Sequence, residues 1–96
     1  MENEQAYKEL LTTIIKNKMK VFGKLALKIA NTSGGMTVND DGEVAFIHDD
    51  PIKVIEGLLN GFIKLSGRAT IFNARIAVMP IKKKYPNLKL PELLAG

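Results

Sequence analysis

Apolar side chains recur at steps of three and four residues through the first third of the chain, from Gln5 to Ala30. This spacing places them on one side of a helix, so it predicts a single helix over residues 5–30. The stripe consists of Tyr7, Leu11, Ile14, Ile15, Phe22, Leu25, Ala26 and Ile29. Lys18 is the charged residue that interrupts it. The polar and glycine residues over 31–35 then end the helix.

The pattern changes to one typical of strands over residues 36–48, where the pair Asp41-Gly42 marks a tight turn. We therefore predict a hairpin over 36–48 with a two-residue loop. In that register, Met36, Val38, Ala45 and Ile47 share one side of the ribbon. Because an isolated two-stranded ribbon is barely stable in water, this side should pack on the helices or on the ribbon of another subunit.

A second long apolar stripe follows Asp50, whose side chain is placed to cap a helix that begins at Pro51. Its members alternate by three and four residues, which is a heptad seam. They are Ile55, Leu58, Phe62, Leu65, Ala69, Phe72, Ile76 and Met79. The phase continues through Ser66 and Gly67, so we predict one helix over 51–79. The alternative is two shorter helices broken at 66–67, with Ser66 capping the second, because a glycine inside a helix costs about 1 kcal/mol.

The end of the chain is predicted to be a separate tail over residues 80–96. Pro80 lacks an N–H and crowds the preceding turn, so the second helix should kink or end there. Within the tail, Pro91-Glu92-Leu93-Leu94 is expected to form one last helical turn.

These elements predict a mostly helical α+β fold in a single domain over residues 1–96. Two long helices joined by a hairpin are too elongated to form a compact globule alone. The chain also has no cysteine that could staple a small core. We therefore expect a homodimer whose helices complete a four-helix bundle along the heptad seam. Gly57 and Gly61, one helical turn apart, would allow two helices to approach closely.

The residues that catalysis usually requires are scarce in this chain. It contains a single histidine, His48, whose neighbours Asp49 and Asp50 are explained by the end of a hairpin that leads into a capped helix. Ser33-Gly34-Gly35 lacks the Lys and Ser/Thr of a phosphate-binding loop, and it follows a helix instead of leading into one. We therefore expect no enzymatic activity, no cofactor and no metal site.

Charge is distributed unevenly, within a net charge of +4. Residues 36–50 carry five acids and no Lys or Arg, whereas residues 51–96 carry eight basic and two acidic residues. Four lysines lie at four-residue intervals on the first helix, and two arginines flank the seam on the second. Lys16, Lys20, Lys24, Lys28, Arg68 and Arg75 are thus the candidate polyanion-binding residues. Such rows are usually solvated surfaces, and antiparallel packing would place Glu4 and Glu9 near the lysines over 82–84.

Three functional hypotheses follow from these patterns. The first is a small non-enzymatic interaction or regulatory module that acts as a homo-oligomer. The alternative is a non-specific binder of nucleic acid or another polyanion, which a charge of +4 favours less. A weaker third option is an apolar-ligand pocket lined by Phe62, Phe72 and Met79. The acidic and polar start and the short apolar runs predict a soluble, cytoplasmic protein without a membrane span.

Overall fold

The computed structural model describes residues 3–95, which form five helices and one two-stranded antiparallel sheet. The mostly helical α+β class is therefore confirmed. In chain order the elements are α1 (Glu4–Phe22), α2 (Lys24–Ser33), β1 (Met36–Val38), β2 (Val44–Ile47), α3 (Pro51–Ser66), α4 (Ala69–Lys84) and α5 (Glu92–Ala95). Met1, Glu2 and Gly96 belong to the predicted domain but lie outside the described residues.

The prediction of one helix over 5–30 is wrong, because the chain turns at Gly23. This glycine has φ +58°, a left-handed backbone conformation that residues with a Cβ rarely adopt. Its N–H donates to the Met19 carbonyl at 2.8 Å, and its carbonyl accepts from the Ala26 N–H at 3.1 Å. The apolar spacing did not reveal the break, because Ala26 and Ile29 of the stripe still pack against the core after the turn, although Leu25 is exposed.

A second break, at Gly67, shows that the two-helix alternative is correct and that the helix predicted over 51–79 is wrong. Gly67 has φ +61°, its N–H donates to the Ile63 carbonyl at 2.7 Å, and its carbonyl accepts from the Thr70 N–H at 3.1 Å. Ser66 is the last residue of α3 and does not cap α4. The N-cap position of α4 is occupied by Arg68, whose side chain makes no capping hydrogen bond.

Helix α4 does not end at Pro80 but continues to Lys84. Proline removes one backbone donor from the helix, yet Val78 and Ile81 on either side of it are buried in the core. Burial of these side chains holds the last turn in place, and the Tyr85 N–H closes it on the Ile81 carbonyl at 2.8 Å. The predicted tail over 80–96 therefore begins later, and its expected last helical turn is α5.

The hairpin is confirmed, but its loop has three residues instead of two. The Asn39 N–H donates to the Glu43 carbonyl at 2.8 Å, which encloses Asp40, Asp41 and Gly42 in the loop. Met36 pairs with Ile47 as predicted, whereas Val38 pairs with Val44 and not with Ala45. Between these two pairs, β2 contains one more residue than β1, which is a β-bulge. The bulge places Val44 in the core where Ala45 was expected.

The core closes within one chain. Most of the large, fully buried side chains come from α1 and α3, namely Leu10, Leu11, Ile15, Ile55, Leu58, Leu59 and Phe62. Helix α1 contacts α2, α4 and β2, and α3 contacts both α2 and α4. The described chain measures 32 × 26 × 19 Å, so it is not the elongated pair of helices that the sequence suggested. Homodimerisation remains a prediction, and it is not needed to bury the α3 half of the seam.

Helices α2 and α3 approach closely at the two glycines of α3. A Cβ on Gly61 would lie 2.9 Å from Ile29 Cγ2, whereas a Cβ on Gly57 would meet nothing nearer than the Ser33 carbonyl oxygen at 3.7 Å. The expected close helix approach is therefore present, and Gly61 is the position that requires it.

We expect Gly67→Ala to lower the free energy of unfolding by about 1–2 kcal/mol, because a Cβ makes the left-handed conformation costly. Gly57→Ala is the matched control. It lies within a helix and its new methyl group meets an ordinary contact, so it should raise stability by about 0.5–1 kcal/mol. Urea unfolding followed by circular dichroism measures both. Equal stabilities of the two variants would contradict the role assigned to Gly67.

Candidate functional site: the exposed face of α4

Helix α4 exposes three of its large apolar residues, although Val78 and Ile81 on its other side are buried in the core. Its buried side includes Ala74, Ala77 and Val78. On the outer side, Phe72 is 66% exposed, Ile76 52% and Met79 62%. These three residues are four and three positions apart and therefore lie along one line on the helix surface. We call them the α4 face.

The α4 face accounts for the second half of the predicted seam, and the break at Gly67 explains why the seam is not continuous. Ile55, Leu58 and Phe62 are fully buried, while Leu65 is half-buried and Ala69 is exposed. Phe72, Ile76 and Met79 are exposed because α4 begins in a new phase. The hypothetical pocket between Phe62, Phe72 and Met79 is therefore wrong, since the first is enclosed in the core and the other two face outward.

Two depressions flank the α4 face. On one side, a groove of about 800 Å³ runs between α4 and the C-terminal segment, where Leu90 and Leu94 form its other wall. On the other side, a cavity of about 330 Å³ lies between α1 and α4. Val21, which is 74% exposed, lies at this second depression together with Ile76. The apolar surface thus extends from α1 across α4 to the end of the chain.

Basic side chains border the α4 face, and α4 itself contains no acidic residue. Arg75 donates from Nε to the Leu93 carbonyl at 3.2 Å, and Lys82 donates from Nζ to the Leu88 carbonyl at 2.7 Å. These hydrogen bonds direct both cations toward the C-terminal segment. The line of large apolar side chains is therefore not interrupted by a charged head group.

The expected pairing between acids of the first helix and lysines at the end of the other is present in one case. Lys84 Nζ lies 3.1 Å from Glu9 Oε1, and this hydrogen bond raises the pKa of Lys84 above its ordinary value. Glu4 instead lies 4.0 Å from Lys8, one turn along the same helix.

The four ridge lysines are all exposed, but the break at Gly23 divides them between α1 and α2. The acidic hairpin of the same chain lies beside them. Glu43 Oε2 is 3.9 Å from Lys16 Nζ, and Asp40 shares a surface depression with Lys24 and Lys28. Part of the positive charge that was expected to bind a polyanion is therefore compensated within the chain.

The two arginines of the candidate set lie elsewhere. Arg68 is exposed at the corner between α3 and α4, and Arg75 lies against the C-terminal segment. The structure thus distributes the six candidate polyanion-binding residues over three elements and a helix corner. Their role stays a prediction.

A feature that sequence reasoning did not interpret is the burial of Lys18, which is 6% exposed. Its Nζ donates to Ser66 Oγ at 3.0 Å, and the hydroxyls of Ser66 and Thr70 share a further hydrogen bond. This connects α1 to the corner where α3 turns into α4. Burial lowers the pKa of Lys18. The signal in the sequence for this burial was the interruption of the apolar stripe by Lys18.

His48 lies on the surface and is not close to the α4 face. Its Nε2 shares a hydrogen bond with Thr37 Oγ1, and its ring stacks on Phe46 with centroids 6.3 Å apart. Over residues 3–95, no three His, Cys, Asp or Glu side chains are grouped in a way that could hold a metal ion. None of the described helices is long and apolar enough to cross a membrane.

Comparisons with protein-family models, with curated proteins and with solved structures found no match for this chain. Any functional conclusion therefore depends on the geometry described above.

We expect Lys18→Met to raise the free energy of unfolding at pH 7 by about 1 kcal/mol, because it removes a cation that burial disfavours. A lowered lysine pKa means that the unfolded state binds more protons between the folded-state pKa and 10.5, so wild-type stability rises with pH over that interval. The advantage of the variant should therefore shrink as pH rises. Urea unfolding of both proteins between pH 7 and pH 10 measures this difference in the free energy of unfolding. The contributions of the other titrating groups cancel because both proteins contain them. A wild-type protein that is more stable at pH 7 would contradict it.

Proposed function

We propose that the protein is a non-enzymatic interaction module that acts as a homodimer through the α4 face. The supporting observation is the arrangement of Phe72, Ile76 and Met79, each more than half exposed, along one line of α4. Surface helices of monomeric proteins usually present polar residues to water. A line of large apolar side chains is typical of a contact surface.

A second copy of the chain fits this surface because ridges and grooves lie side by side. The α4 face forms one wall of the groove whose other wall carries Leu90 and Leu94. In a twofold arrangement, the ridge of one α4 packs into a groove beside the other, and each copy uses the same residues. A chain of 96 residues buries a modest share of its surface alone, so it gains from such an interface.

Charge sets how this dimer should respond to salt. Two copies bring together two helices that have basic residues and no acid, so their electrostatic interaction is repulsive. Arg75 and Lys82 are held toward the C-terminal segment, which lessens the repulsion without removing it. Because salt screens repulsion, the dimer should become tighter as ionic strength rises.

Analytical ultracentrifugation over a range of protein concentrations tests the proposal. We expect a monomer–dimer equilibrium for the wild type. Its dissociation constant should decrease as the salt concentration is raised from about 0.05 M to about 0.5 M. Phe72→Lys should yield a monomer, because it places two additional charges in the interface. Phe46→Lys is the control, since Phe46 is 60% exposed but lies on the hairpin. A wild-type monomer at all concentrations, or a Phe46→Lys variant that dissociates equally, would contradict the proposal.

Polyanion binding is the second candidate function, and the observation that favours it is that all six candidate residues are exposed. We expect affinity for a single-stranded oligonucleotide to fall steeply with salt, which is the opposite of the trend expected for the dimer. Substituting Lys16, Lys20, Lys24 and Lys28 by Gln should flatten this dependence. Fluorescence anisotropy measures it, and unchanged binding by the fourfold variant would exclude these lysines as the site.

A further inference from the structure

The cavity between α1 and α4 is lined by both polar and apolar side chains, and both helices contribute each kind. Its polar lining consists of Asn17, Lys18, Lys20, Thr70 and Asn73. The remaining lining residues are apolar and include Val21, Ala74 and Ala77. At about 330 Å³ the cavity is at the small end of the range for small-molecule sites. Its lining suits a ligand with a polar head and a short apolar body.

Among the residues that line this cavity, Lys18 is the buried cation. An ammonium group has three N–H donors, and in the described structure one of them is matched by Ser66 Oγ. Within residues 3–95, the ion pairs of the lysines involve Lys8, Lys16 and Lys84, and no carboxylate oxygen lies within 4.0 Å of Lys18 Nζ. Lys18 is 6% exposed as a whole residue, and burying a cation without an anion is costly, so an anion in the adjoining cavity would offset part of that cost.

We propose that this cavity binds a small monocarboxylate with a short aliphatic body. The carboxylate would accept hydrogen bonds from Lys18 Nζ and from the neighbouring amide groups of Asn17 and Asn73. The aliphatic body would pack against Val21 and Ala77.

A monocarboxylate fits this cavity better than a phosphate does. Lys18 supplies one buried positive charge, and apolar lining residues such as Val21 and Ala77 supply contacts that a phosphate group could not use. The site is distinct from the proposed dimer contact, although Ile76 borders both. Binding is therefore measured in the Phe72→Lys background as well as in the wild type, so that failure of one proposal is distinguishable from failure of the other.

NMR titration of the ¹⁵N-labelled protein with sodium hexanoate tests the proposal, with hexanamide as the neutral analogue of equal length. We expect saturable shifts at the side-chain amides of Asn17 and Asn73 and at the backbone of Ala74 and Ala77. Hexanamide should bind at least tenfold more weakly. The comparison of the two ligands uses the wild-type protein and does not depend on the folding of any variant.

Two variants then separate Lys18 from general positive charge. Lys18→Met should weaken hexanoate binding at least tenfold. Lys16→Met removes the same charge from the same helix, but Lys16 does not line the cavity, so binding should be unchanged.

Four results would overturn the proposal. These are equal affinity for hexanoate and hexanamide, unchanged binding by Lys18→Met, shifts spread over the exposed lysines instead of the cavity, and no saturable binding at about 10 mM ligand, a concentration that reveals even millimolar affinity. The last result would mean that water alone satisfies Lys18.

Discussion

The fold depends on two glycines that hold nearly the same left-handed conformation. Gly23 has φ +58° and ψ −135°, and Gly67 has φ +61° and ψ −146°. Each accepts a hydrogen bond from the N–H three residues later and donates to the carbonyl four residues earlier. Each therefore converts a long apolar run into two helices that meet at an angle. With both turns in place, four helices and a hairpin enclose one core, whereas two uninterrupted helices would leave much of their apolar surface in water.

The exposed surface of α4 is a direct consequence of the turn at Gly67. If the helix continued, the phase of the apolar stripe would keep Phe72 on the same side as Phe62. The turn instead brings Thr70, Ala74 and Ala77 against α1. Small residues at that contact allow α4 to lie close to the core, and the large residues of the original stripe remain outside. The feature that makes the fold compact is thus also the feature that leaves an unpartnered apolar surface.

Signals that are local in the chain predicted the structure well. Asp50 accepts from the Ile52 N–H at 3.1 Å and begins α3 at Pro51, as the Asp-Pro pair indicates. The hairpin and the last helical turn were predicted for the same reason. The break at Gly23 was not predicted, and the break at Gly67 was the alternative to one continuous helix, because a glycine costs a helix only about 1 kcal/mol and tertiary packing decides whether the helix continues. Pro80 shows the reverse, since packing around it preserves a helix that local chemistry should end. The burial of Lys18 depends on α3 and α4 meeting it, which no local pattern reports.

Helix α4 separates two different environments, and its composition suits both. One side presents the α4 face to the exterior, and the other side forms a wall of the cavity beside Lys18. Pro80 cannot donate to the Ile76 carbonyl, so the helix lacks one backbone hydrogen bond where these two surfaces meet. A small displacement of Ile76 is therefore less costly than it would be in an uninterrupted helix. A ligand in the proposed site and a partner on the α4 face would both contact Ile76, so binding at one surface would alter the shape presented at the other.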